Sequence, residues 1–156
     1  MKLRPALVLA ACALLASCAA GPAEEQEVVE IPGAPELAGV GLHRLHLPTA
    51  ADEPERVGKA RVVPGALLVG GRLIADGNDY GVVASLDERA VPALAALDDA
   101  EPTWLVFVAN HRTYERFEAR TLLERISSAN GSPVEVEFAS GLVAFEAGQV
   151  LDVLAP

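Results

Sequence analysis

Where apolar and polar residues alternate along this chain, the pattern marks strands. Val134-Glu135-Val136-Glu137-Phe138 alternates at every position and predicts a half-buried strand over 134–138. The stretch from Gly41 to Leu47 alternates more weakly and predicts another, ended by Pro48. Trp104-Leu105-Val106-Phe107-Val108-Ala109 has no polar position at all. Such a run of strand formers predicts a buried central strand. Trp104, at its start, is expected to pack in the core or at its rim. Residues 49–61 are polar and charged, hold Pro54 and Gly58, and read as a loop.

Two hairpin registers compete over 66–84. In one, the chain turns at Gly70-Gly71 between Ala66–Val69 and Arg72–Ala75. In the other, it turns at Asp76-Gly77-Asn78-Asp79 and continues as a strand from Tyr80 to Ala84. A helix follows over 87–98, capped by Ser85 or Asp87 and with Pro92 in its first turn. A longer helix is predicted over 113–129. At about 100° per residue, Ala119, Leu122, Leu123, Ile126 and Ala129 share one face, with Arg116, Arg120, Glu124 and Ser127 opposite. Asn110 or Thr113 caps its start, and Asn130-Gly131 stops it. Tyr114 and Phe117 lie in its first turn, and Phe117 projects with the polar side. There it either fills a groove or presents a contact to a partner. Ser140-Gly141 turns the chain into a strand over 142–147, and that strand together with Val150 to Leu154 reads as an added edge. The predicted order is β-β-α-β-α-β-β. It implies an α+β domain, a two-layer sandwich of a small mixed sheet with two helices on one face.

The first 41 residues follow a different logic. Met1-Lys2-Leu3-Arg4 is a short basic start, an apolar run extends from Pro5 to Ala16, and Leu15-Ala16-Ser17-Cys18 closes it. This is the layout of a secretory signal peptide. Its last four residues resemble the lipobox of bacterial lipoproteins. That resemblance implies lipidation of Cys18, removal of residues 1–17 and acylation of the new amine. Several acyl chains at about 0.8 kcal/mol per buried CH₂ would make the membrane attachment durable. Ala19, in place of Asp, points by the family's sorting rule to the outer membrane. The rival reading is an uncleaved anchor, but a spanning helix needs about 20 apolar residues, and the run here is shorter and interrupted by Ser17. Residues 18–41, with Gly21, Pro22, Pro32, Gly33, Pro35 and Gly39 among glutamates such as Glu24, Glu25, Glu27 and Glu30, read as a flexible tether. The folded domain is then 42–156.

Charge and candidate chemistry narrow the function. Of 12 basic residues, Lys2 and Arg4 leave with the leader, so 10 face 22 acidic ones, a net charge of −12. That repels phosphate backbones and makes nucleic acid an unsuitable partner. The two cysteines, Cys12 and Cys18, both lie in the first 18 residues, so no disulfide framework is expected. No cofactor-binding glycine motif occurs. His43 and His46 are three apart and face opposite sides of a strand, which disfavours a shared metal. Asp76, Asn78 and Asp79 resemble the start of a calcium loop, but Asp87 stands where its twelfth-position Glu belongs. His111, in Asn110-His111-Arg112 after the central strand, is the candidate general base if the protein is a small periplasmic enzyme.

From Leu45 onward the segments quoted above resemble, in order and spacing, the periplasmic domain of the ExbD/TolR biopolymer-transport family. The matching pieces are Leu45-His46-Leu47-Pro48, Ile74 to Gly77 with Tyr80, Ser85 to Glu88, Leu105 to Ala109, Tyr114 to Phe117, and Val134 to Phe138. The family's membrane helix carries an Asp that takes part in proton flow. Here the apolar leader holds no acid. The resemblance therefore implies a non-catalytic binding module that engages a motor complex, an envelope protein or peptidoglycan, and forms a homodimer. A structural lipoprotein without a specific ligand is the plainer alternative.

Overall fold

The computed structural model describes residues 27–31, 36–37, 39–97 and 102–154. The lipobox residues Leu15, Ala16, Ser17 and Cys18 lie outside them. Among the described residues the chain runs β1 (Val28–Glu30), β2 (Gly41–His46), β3 (Arg56–Pro64), β4 (Leu68–Asp76) and β5 (Asp79–Leu86). It continues through α1 (Val91–Ala95), β6 (Trp104–Ala109), β7 (Arg112–Glu118), α2 (Ala119–Ser128), β8 (Val134–Leu142) and α3 (Ala144–Leu154). Two antiparallel sheets result: five strands in the order β1-β3-β2-β6-β7, and three in the order β4-β5-β8.

This corrects the expected architecture. The protein is α+β, but with two sheets instead of one, three helices instead of two, and a different element order. The facing sides of the sheets share one core. Leu42, Leu105 and Phe107 enter it from the five-stranded sheet, and Val82, Leu86 and Phe138 from the three-stranded one. Leu94, Leu122, Ile126 and Val150 add the apolar faces of the helices.

The largest correction is at 112–118, expected as helix and found as β7. β6 is hydrogen-bonded to β2 along one edge, and its other edge would otherwise leave backbone groups buried and unpaired. β7 supplies those partners. Asn110 (φ 48°) and His111 (φ 61°) form the two-residue turn, both left-handed as a type I′ hairpin requires. The helix begins only at Ala119, and from there the expected face holds: Ala119, Leu122 and Ile126 are buried. Asn130 and Gly131 take positive φ just past its end.

Two small-residue pairs expected as turns are bulges. The turn between β4 and β5 lies at Gly77-Asn78, so the second hairpin register is the correct one. The β4 register slips between Val69 and Arg72, with Gly70 at φ 68°, and β8 slips next to Gly141, at φ 63°. Each bulge inserts one residue opposite β5 and bends its strand without ending it. Gly71 has a second role: a Cβ there would stand 2.9 Å from Leu151 Cδ1, because α3 lies against this part of β4. The segment 142–147, expected as a strand, belongs mostly to α3, whose Ala147, Val150 and Leu154 are buried at helical spacing. The helix expected over 87–98 is a 3₁₀ turn over Glu88–Ala90 followed by α1. Asp87 caps it by accepting from the Arg89 backbone N–H at 2.9 Å. Part of the 49–61 loop is strand as well, since β3 begins at Arg56.

Candidate functional site

The other face of the five-stranded sheet carries a small apolar cluster of Val29, Leu37, Leu45, Val57, Val106 and Val108. Within the stretch expected as tether, β1 pairs with β3, and Leu37 is buried. Lys59 Nζ fastens this cover to the sheet through Glu27 at 2.6 Å and Glu36 at 2.8 Å. His43 sits in β2 directly opposite Val106 and is fully buried. Its Nδ1 lies 2.8 Å from the Gly58 carbonyl oxygen. A carbonyl only accepts, so Nδ1 carries the proton and Nε2 is left bare, buried and without a partner. Burial lowers the pKa of His43, and the Arg61 charge adds to this against the opposing pull of the Gly58 carbonyl.

Where β2 ends and β6 begins, the sheet opens into a cleft of about 630 Å³. Arg44, His46, Leu47, Pro48, Pro102 and Trp104 are among its lining residues. Pro48 has no N–H and stops strand pairing after His46. Thr49 then turns the chain by donating its backbone N–H and its hydroxyl to the Glu53 carboxylate, at 3.1 and 2.9 Å. Trp104 both packs against the outer apolar cluster and lines the cleft. The His46 ring is half-buried, with Nε2 sealed from solvent and unpartnered. Its pKa is lowered by burial first, then by the charges of Arg44 and Arg56, so it stands in the cleft as a neutral imidazole.

The distribution of ion pairs sets this region apart. Lys59, Arg72, Arg89, Arg112, Arg116 and Arg120 each meet a carboxylate within 4 Å. Arg125 donates to the Glu135 carbonyl at 2.8 Å. Among the described residues, the cations left without such a partner are Arg44, Arg56 and Arg61, all on the β2–β3 hairpin. Arg56 feels the charge of Glu53, and Arg61 lines a separate cleft of about 380 Å³ near Gly65 and Leu154. Arg44 is half-buried in the wall of the larger cleft.

The residues singled out from sequence fall elsewhere. Tyr114 and Phe117 are half-buried strand residues in β7. A bulge in β7 between Thr113 and Arg116, opposite Val106 and Val108, lets both pack against the main core. Tyr114 lies 5.8 Å from Phe107 and Phe117 lies 5.5 Å from Phe138, ring centre to ring centre. His111 is exposed on the β6–β7 turn and lines neither cleft. That turn is docked on α3 by Asn110, which donates to the Gln149 carbonyl at 3.1 Å, and by the Arg112–Glu146 ion pair. Asp76 and Asp79 are cross-strand neighbours flanking the β4–β5 turn. Among the described residues no group of three or more His, Cys, Asp or Glu is placed to hold a metal. Arg44 and His46 had no motif to announce them; what distinguishes Arg44 is the absence of a nearby carboxylate among the described residues, which is a property of the folded chain. Compared with protein-family models, curated proteins and solved structures, the chain matches none.

Proposed function

We propose that this chain is an exported lipoprotein, anchored through Cys18, whose folded domain is a non-catalytic binding module working through the Arg44–His46–Trp104 cleft. The anchor rests on Leu15-Ala16-Ser17-Cys18 after a basic and then apolar leader. The binding role rests on one observation: Arg44, a half-buried arginine with no carboxylate partner among the described residues, in the wall of a cleft, in a chain with 22 acidic residues. Its partner is an envelope protein or peptidoglycan facing the outer membrane's periplasmic side. The ExbD/TolR resemblance adds no support, because one segment that carried it, Tyr114 to Phe117, is strand instead of helix, and there are two sheets instead of one.

Leu47 offers the test, because it lines the cleft and is 45% exposed. A photo-crosslinking residue at 47 in intact envelopes is expected to capture a protein or a peptidoglycan fragment. The same residue at 73, exposed on the three-stranded sheet, is expected to capture neither. Equal capture at both positions, or none at 47, overturns the cleft as the contact site and leaves a structural lipoprotein. Mass spectrometry of the mature N-terminus tests the anchor; an intact, unmodified leader overturns it.

A further inference from the structure

We infer that the group of the partner that enters the cleft is a single carboxylate attached to an apolar moiety, held by the Arg44 guanidinium with the apolar part against Leu47, Pro48 and Trp104. This rests on the cleft being the binding site, and it adds the ligand's chemistry. Three observations carry it. Arg44 is half-buried yet meets no carboxylate within 4 Å among the described residues, although acids outnumber bases by 22 to 12 over the whole chain. A guanidinium presents parallel N–H donors that match a carboxylate, and such charge-assisted bonds are the stronger kind. The rest of the wall mixes polar residues with Leu45, Leu47, two stiff prolines and an indole, and that apolar part suits an aliphatic or planar group.

The surrounding charge limits the ligand further. The body of the protein is strongly acidic, so a polyanion is repelled as a whole, while a single carboxylate can sit beside one local cation. The neutral His46 ring adds no second positive charge at the site.

The chain contains one tryptophan, and it lines this cleft, so intrinsic tryptophan fluorescence reports here alone. The full chain in detergent would be titrated with N-acetyl-leucine and with N-acetyl-leucinamide, which differs only in lacking the charge. The acid is expected to shift Trp104 emission saturably, and the amide to bind about ten-fold or more weakly. Arg44→Ala should weaken the acid to the level of the amide, Arg44→Lys should fall between, and Arg61→Ala, outside the cleft, should leave both unchanged. Equal binding of acid and amide overturns the carboxylate assignment while leaving the cleft a binding site. No response to either, with crosslinking at 47 intact, also overturns it. The acid–amide pair on the unaltered chain decides the matter even where Arg44→Ala fails to fold.

Discussion

β6 sends Leu105, Phe107 and Ala109 into one core and Val106 and Val108 into another, and the two are closed by different means. The inner core lies between the sheets, draws on all three helices, and among the described residues buries no polar one. The outer cluster is closed by a three-residue strand, Leu37 and salt bridges from Lys59, and it surrounds a buried histidine. Exposed salt bridges of this sort contribute little to stability. The outer cover is therefore held mainly by its few apolar contacts. Among the described residues, the fully buried histidine, its pKa lowered by burial, lies on this side of the sheet, and Trp104 packs against the same cluster and lines the cleft.

The contrast can be broken at its strongest point first. Phe138→Ala removes a ring packed 5.2 Å from Phe107 in the inner core and is expected to cost about 3–5 kcal/mol by urea unfolding. Leu37→Ala in the outer cluster should cost less, about 2–3 kcal/mol. In native-state hydrogen exchange it should release the amides of β1 well before those of β5. Concurrent loss of protection in both strands would show the two regions to be one cooperative unit. Gly70→Ala places a side chain at positive φ with open space around it, so only backbone strain should register, about 1 kcal/mol in the urea midpoint.

The finest test uses pH. The folded-state pKa of His43 lies below the ordinary 6.5, so below that pH the unfolded chain takes up a proton the folded chain refuses. The stability this contributes is complete above about pH 6.5 and declines as the pH falls toward the lowered folded value. His46, shifted the same way, adds to the slope. Urea midpoints at about pH 7.5 and about pH 5.5 should therefore differ, with lower stability in acid, and His43→Leu should shrink the difference. An unchanged difference in that variant would remove His43 as its source.

Some of this was open to reading along the chain. The wholly apolar run at 104–109 identified a strand covered on both faces, because no polar side had been provided for. The spacing of Ala119, Leu122 and Ile126 identified the buried face of a helix, and Asp76-Gly77-Asn78-Asp79 marked a real turn. Such signals are local: a few neighbouring residues settle them through sterics and periodicity. Thr113 to Glu118 misled because its composition tolerates a helix, and the need that makes it a strand arises at the edge of β6. Gly70-Gly71 and Ser140-Gly141 misled because the same positive φ serves a turn and a bulge, and the partner strand decides between them.

The sequence by itself determined the acidic balance and which stretches must be covered from water. Only the tertiary structure decided that the covering comes from two sheets, that a supposed spacer supplies part of it, and that Arg44 stands without a carboxylate beside it among the described residues. The physical reason is range. Backbone preference and hydrophobic period act over a few residues, whereas strand edges, closed clusters and unpaired charges arise from segments that meet only when the whole chain has folded.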